Sequence, residues 1–386
     1  MRYSFPRPFL TLLCVVVFGC AMGVASAEET KTDAVAPGNP FSNQWDKAPI
    51  GGSFKMDDYI IWGASVIQGD DGRYYMFASR WPKKTGMDCW VTNSEVVLAS
   101  SDKLAGPYKY EQSVLPPRGP EFWDGCATHN PSIHKYKGQY VLFYIGVRYY
   151  FSRPDGTQKL SQENYGKAWN AKRIGVATAP SPQGPWKRME KPILETNPDG
   201  WDAAITSNPA ATILADGSVF LIYKSAPVPY PARLKNRALH FGAVRADNIL
   251  GPYKKLTEDR FIKINGRDAS VEDPYIWHDG NNYLMVAKAM DRKLIPAGSG
   301  FMAWSKNGLD WTLTDPALAY NMSVEWTDGT KTTLLKKERP QVFLEKGKTP
   351  RAVFFATRDK KGDIYNAVVP LKVSPETVLE KKAGNL

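Results

Sequence analysis

The sequence is poor in the residues that usually build metal centres. It has four cysteines and four histidines in 386 residues, and their scatter matches no zinc-ligand spacing. No metal or cofactor is therefore expected, although a ring-shaped fold leaves room for a structural ion or water in a central channel. Beyond residues 1–27 no apolar run is long enough to cross a membrane. The net charge is +11, yet no dense Lys/Arg run marks a nucleic-acid tail. Nucleic acid is thus not an expected partner, and the positive balance suits an acidic ligand or simply a basic surface. Helical periodicity is nearly absent, which argues against helical bundles and for an all-β chain.

The first 27 residues read as a leader. "MRYSFPR" is basic, "PFLTLLCVVVFGC" is apolar, and Ala25-Ser26-Ala27 fits a small-residue cleavage site. The expected mature chain starts near Glu28 and is periplasmic or secreted. Val17-Phe18-Gly19-Cys20 offers an alternative, a lipoprotein-like cleavage leaving a lipid anchor at Cys20. Export by the first route removes Cys14 and Cys20. Cys89 and Cys126 remain, either as a disulfide or as two free thiols.

Internal repetition dominates the rest. "WGASVIQGDDGRYYMFASR" (62–80), "HNPSIHKYKGQYVLFYIGVR" (129–148), "SNPAATILADGSVFLIYK" (207–224), "VEDPYIWHDGNNYLMVAK" (271–288) and "ERPQVFLEKGKTPRAVFFATR" (338–358) share one plan. Each is a short apolar strand, a glycine-containing turn and an aromatic-rich strand, the pattern of a β-hairpin. A third strand follows each hairpin, and a Gly-Pro-aromatic-Lys turn then leads into a fourth in several copies. Four antiparallel strands repeated five times predict a five-bladed β-propeller. The expected organisation is a signal peptide (1–27), an N-terminal segment (28–55) and a propeller catalytic domain (56–386). The stretch "GGSFKMDDYI" is placed to supply a strand that the last copy lacks and to close the ring.

In a propeller the first strand of each blade lines the channel, so the polar residues that open these strands converge on one face. They are Trp62-Gly63, His129-Asn130, Ser207-Asn208, Glu272-Asp273 and Glu338-Arg339. Each second strand ends in a cation: Arg80, Arg148, Lys224, Lys288 and Arg358. The expectation is either a ring of cations that binds sugar carboxylate or sulfate, or structural pairs such as Arg80 with Glu95. Aromatics are abundant (12 Trp, 19 Tyr, 16 Phe), which suits sheet packing and sugar stacking alike. Trp62, Trp123 and Trp201 are candidate platforms.

The repeated architecture and the Glu272-Asp273-Pro274 opening of the fourth copy resemble glycoside hydrolase family 43 and its arabinanase and β-fructosidase-like relatives. The resemblance spans roughly residues 55–373. It implies three acids in the funnel: an Asp base on blade one, an Asp that tunes pKa on blade three and a Glu acid on blade four. Glu272 matches the Glu, whereas Gly63 and Asn208 stand where the two Asp would be. Inverting hydrolysis needs one carboxylic acid over the leaving oxygen and one carboxylate across the sugar to activate water. With Glu272 as acid, Asp58, Glu95 and Asp124 are candidate bases, Asp124 first among them. Asp202, in the similar "GWDAAITSNP", is the candidate for pKa tuning. Asp273 can raise the Glu272 pKa by repulsion while a funnel cation lowers it. His129, Asn130, Asn208, Glu338 and Arg339 complete the expected substrate contacts. The function so implied is an exported glycoside hydrolase cleaving a terminal sugar from a plant or algal polysaccharide fragment, inverting, on an uronic or sulfated substrate. The alternatives are a glycoside phosphorylase or a non-catalytic carbohydrate-binding propeller.

Overall fold

A computed structural model describes Met1, residues 36–229 and residues 238–372. The leader, Cys14, Cys20 and residues 373–386 lie outside the described residues. Blade one is β1 (Tyr59–Gln68), β2 (Tyr74–Pro82), β3 (Glu95–Ser101) and β4 (Lys109–Leu115). Blade two is β5 (Ala127–Tyr136), β6 (Gln139–Val147), β7 (Arg173–Ala179) and β8 (Lys187–Arg188). Blade three is β9 (Ser207–Ile213), β10 (Val219–Ser225), β11 (His240–Ala246) and β12 (Lys254–Lys255). Blade four is β13 (Val271–His278), β14 (Tyr283–Ala289), β15 (Gly300–Ser305) and β16 (Thr312–Tyr320). A small hairpin, β17 (Ser323–Glu325) and β18 (Lys331–Thr333), precedes blade five, which holds β19 (Lys336–Glu345), β20 (Thr349–Arg358) and β21 (Ile364–Pro370). Every blade is an antiparallel meander in strand order, and each named pairing is between sequence neighbours.

The free edge of β21 is met by the N-terminal segment. Ser53 N–H donates to Asn366 O at 2.8 Å, and Asn366 N–H donates back to Phe54 O at 3.0 Å. Further along, Asp46 N–H reaches Pro370 O at 2.9 Å and Lys372 N–H reaches Gln44 O at 2.7 Å. First and last segments thus share one sheet, and the ring closes without a long open edge.

Apolar seams between blades hold the ring together. The Gly-Pro-aromatic turns recur because each aromatic fills the seam with the preceding blade. Tyr108 packs edge-on against Phe354 at 6.1 Å, Trp186 against Phe77 at 5.4 Å and Tyr253 against Phe143 at 6.5 Å. Tyr108 is buried and Trp186 and Tyr253 are partly so, and full burial of such a ring contributes about 2–3 kcal/mol of transfer free energy.

A second repeated device sits in blades two and three. Trp123 stacks on Tyr144 (5.8 Å, 26°) and Trp201 on Tyr223 (5.8 Å, 28°). The indoles fit only because the third strand has glycine beneath them. A Cβ at Gly175 would lie 2.4 Å from Trp123, and one at Gly242 would lie 2.7 Å from Trp201 and 2.5 Å from Tyr223. Gly175→Ala is therefore expected to destabilise the fold by about 1–3 kcal/mol. The check is a lower urea midpoint at unchanged slope; an unchanged midpoint would show that Trp123 can move.

Cys89 and Cys126 are free and buried. Cys126 Sγ is held instead by the Tyr149 backbone, at 3.3 Å from its carbonyl.

Candidate functional site

Every innermost strand carries the same irregularity. The pairing register slips at Gly63, Asn130-Pro131, Asn208-Pro209, Asp273-Pro274 and Arg339-Pro340. The first residue of each slip is left-handed, with φ of 55°, 49°, 49°, 55° and 54° in blade order. These are bulges, which bend a strand and re-aim a side chain. Gly, Asn and Asp tolerate the left-handed region.

The bulge residues are bonded to one another. Asn130 Nδ2 donates to Asn208 Oδ1 at 3.2 Å, and Asn208 Nδ2 donates to Asp273 Oδ1 at 2.5 Å. The Arg339 backbone N–H donates to Asp273 Oδ2 at 3.1 Å. Asn130 N–H is also anchored to Ser79 Oγ of blade one at 2.8 Å.

One residue earlier on each strand stand Trp62, His129, Ser207, Glu272 and Glu338. Their register partners on the second strands are Ser79, Ile145, Lys224, Lys288 and Ala356. Only blades three and four place a cation there, so the expected five-membered ring of cations is corrected to two. Arg80 lies one residue further along, opposite Ile61. It pairs with Glu95 at 2.9 Å and lies between Tyr59 and Tyr110, 4.4 and 4.3 Å from their ring centroids. Glu95 also accepts from Ser113 Oγ. Arg80 and Glu95 are thus a structural pair off the pocket wall. Arg148 follows β6, exposed, over the Tyr150 ring at 5.7 Å. Arg358 lies opposite Lys336 and also off the pocket wall.

Lys224 and Lys288 each reach across a seam to the next blade. Lys224 Nζ is 2.5 Å from Glu272 Oε1, and Lys288 Nζ is 2.5 Å from Glu338 Oε1. Burial disfavours the Glu272 carboxylate, but the Lys224 and Lys288 ammoniums outweigh it and hold its pKa down at about 2. Asp273 is pushed the other way, to about 6, by burial and then by the Glu272 charge, with Arg339 opposing. Burial keeps His129 well below its ordinary value, and the charges of Arg339, Lys172 and Lys224 add to this. His129 Nδ1 lies 2.8 Å from Ser94 Oγ, and its ring lies between Trp81 and Trp90, at 5.7 and 4.8 Å.

Above these tiers opens a cavity of about 650 Å³. The structure brings Trp62, His129, Asn130, Asn208, Lys224, Glu272, Asp273, Lys288 and Glu338 onto its wall, with Arg339 buried behind them. It adds residues that sequence reasoning missed. Trp81 comes from the end of β2, and Met87, Asp88 and Trp90 come from the excursion between β2 and β3, which includes the short helix α1 (Trp90–Asn93). Gln162, Tyr165, Trp169 and Lys172 come from the excursion between β6 and β7, which carries α2 (Gln162–Asn170). Lys172 Nζ sits 3.8 Å from the Trp169 ring centroid and 5.0 Å from that of Trp90. Lys336 lies over Trp62 at 5.7 Å and 3.6 Å from Glu338.

Asp124 and Asp202 are not on this wall, and their segments do not form loops over the funnel. Asp124 is fully buried, paired with Arg118 at 2.6 Å and Arg188 at 3.4 Å, and accepts from Tyr144 Oη at 2.7 Å. Asp202 pairs with Lys255 at 2.7 Å and accepts from Tyr223 Oη at 2.8 Å. Both belong to the stacked-tryptophan clamps, as do Trp123 and Trp201. Among the described residues no group of three or more His, Cys, Asp or Glu could hold a metal ion, and no helix is long and apolar enough to cross a membrane.

A scan of protein-family profiles and a search of curated proteins find no match to the chain. Solved structures do match. Zg3597, a family 117 glycoside hydrolase from the marine bacterium Zobellia galactanivorans, is 19% identical with a TM-score of 0.58, over 86% of this chain and 91% of that one. CoXyl43, a family 43 β-xylosidase/α-arabinofuranosidase from a compost microbial metagenome, is 12% identical with a TM-score of 0.55, over 86% and 96%. An endo-arabinase from Bacteroides thetaiotaomicron is 14% identical with a TM-score of 0.52, over 86% and 99%. The chain therefore has the five-bladed propeller fold found in family 43 and family 117 glycoside hydrolases.

Proposed function

We propose that the protein is an exported glycoside hydrolase that removes a terminal sugar from a plant or algal polysaccharide fragment. The observation that carries this is a single pocket joining a cluster of carboxylates, Glu272, Asp273 and Glu338, to four indoles, Trp62, Trp81, Trp90 and Trp169. Flat aromatic faces suit the apolar faces of sugar rings, and the polar groups between them suit hydroxyls. At about 650 Å³ the cavity has small-ligand size, which fits one end of a chain better than a long threaded one.

Hydrolysis breaks the bond from the anomeric carbon to the leaving oxygen, which takes a proton, while water bonds to that carbon and gives a proton up. Glu272 is assigned as the donor and Glu338 as the base. A carboxyl held at about 2 by its lysines is no donor at neutral pH, so the substrate must draw Lys224 away. An anionic sugar group is the natural competitor for that ammonium, and this supports an uronic or sulfated substrate. Water exclusion then raises the Glu272 pKa toward the working range.

Lys224→Met is accordingly expected to raise the Glu272 pKa by about 1–3 units. Because the acid works protonated, the high-pH limb of kcat/KM moves to higher pH. An unmoved limb would detach Lys224 from the proton chemistry.

The reading is tested by incubating the protein with neutral, uronic and sulfated oligosaccharides, with and without phosphate, and identifying products and their anomeric form. Release of a terminal sugar without phosphate supports it; no product from any substrate overturns it. A sugar phosphate formed only with phosphate would assign the pocket lysines to phosphorolysis instead.

A further inference from the structure

Lys224 and Lys288 are buried lysines with carboxylate partners, Glu272 and Glu338. Lys337 breaks that pattern. It is 3% exposed, and no carboxylate among the described residues lies within ion-pair reach of it. Its hydrogen-bond acceptor is the Ser323 carbonyl, 3.0 Å from Nζ, although an ammonium carries three donors. Ring faces make up much of its other surroundings: Phe355, Tyr320 and Trp45, with centroids 4.6, 5.5 and 5.6 Å from Nζ. Rings attract a cation but do not replace an anion. Burial alone therefore pushes the Lys337 pKa down to about 7.

Alternation along β19 explains where this side chain points. Lys336 and Glu338 face the pocket described above, so Lys337 between them faces the other side of the strand. A second cavity opens there, of about 590 Å³, and it shares no residue with the first. Lys337 and Ser323 are on its wall, together with Trp45, Leu318, Tyr320 and Val324. The N-terminal segment, the end of β16 and the β17 strand thus enclose an apolar hollow with one buried amine in it. Leu318 is left 41% exposed. At the rim the exposed cations Lys47, Lys331 and Lys372 outnumber the exposed acids Asp46 and Glu325.

We propose that this cavity binds a small amphipathic carboxylate, an aromatic or short aliphatic acid. Its carboxylate meets the Lys337 ammonium, and its apolar body lies against Trp45, Leu318 and Val324. The guest supplies the counter-charge and the acceptors that the protein does not. A neutral guest leaves the ammonium uncompensated, and a carboxylate without an apolar body leaves the walls wet. The site does not depend on which sugar the Glu272 pocket takes.

Calorimetry with benzoate and with butyrate tests this. Both should bind saturably, one per chain. Benzyl alcohol, which lacks the charge, and formate, which lacks the apolar body, should each bind at least about tenfold more weakly. Affinity should be highest below pH 7 and fall above it by up to about tenfold per pH unit, because the anion needs the protonated amine and its binding draws a proton in. Tyr320, the titratable group facing Lys337 from β16, stays neutral throughout, since burial and the charges of Asp273, Glu338 and Glu272 hold its pKa well above the ordinary value. Lys337→Met should abolish binding and leave the melting temperature level or higher, because the fold loses an uncompensated buried charge. Should that variant fail to fold, the pH profile of the parent protein carries the decision by itself. No saturable binding of either acid overturns the proposal. So does binding that survives Lys337→Met, or that does not weaken between pH 7 and 9.

Discussion

Glu272→Gln is expected to lower kcat by about 10²–10⁴-fold, the range for losing a positioned proton donor, while substrate still binds. The amide keeps the shape of the carboxyl but can neither carry the proton to the leaving oxygen nor pair with Lys224, which now lies 2.5 Å away. Freed of that partner, Lys224 should bind anionic sugars at least as tightly as before, so KM is expected to hold or fall. Glu338→Gln makes a useful companion, because its partners Lys288 and Lys336 differ from those of Glu272. A Glu272→Gln protein that turns over at the parental rate would move the proton chemistry elsewhere. Unchanged ligand affinity, with no turnover in the parent either, would make the propeller a carbohydrate-binding module.

The second large effect concerns stability. Asp124→Asn should destabilise the fold by about 3–5 kcal/mol, because it leaves buried cationic groups without their counter-charge. Asp124 is fully buried, and Arg188, its partner at 3.4 Å, is nearly so. In a chain of this size the loss corresponds to a fall of roughly 4–6 °C in melting temperature. At a permissive temperature kcat/KM should be unchanged. A variant with parental stability and lost activity would return Asp124 to the chemistry and refute the structural assignment.

These two carboxylates show what a sequence reveals and what it hides. The five hairpins were readable because their turns and alternating strands are local signals. The polar residues opening each inner strand were readable for a related reason: charge at the head of an apolar strand has to face a cavity. Trp123-Asp124 and Trp201-Asp202 look like loop acids because nothing nearby marks them as buried. Their partners Tyr144 and Tyr223 lie some twenty residues on, and the glycines that admit the indoles lie on a further strand. The cations misled for another reason. Counting from strand ends aligns Arg80 with Lys224, but the bulges change the register, and only hydrogen bonding shows that Ser79 is the true equivalent. Trp90, Trp169 and Lys172 were invisible because they lie in excursions that the repeat does not share.

The strand exchange at the ring's seam bears on how the molecule can be made. Phe54 leaves the ribosome long before Asn366, the residue it pairs with. Blades one to four can therefore assemble in order of synthesis, whereas the clasp has to wait for nearly the whole polypeptide. A nascent chain stalled before residue 366 keeps two unpaired sheet margins, each able to recruit a neighbour. The export proposed above, with the chain extended and coiling deferred until the far side of the membrane, would spare the cell that hazard.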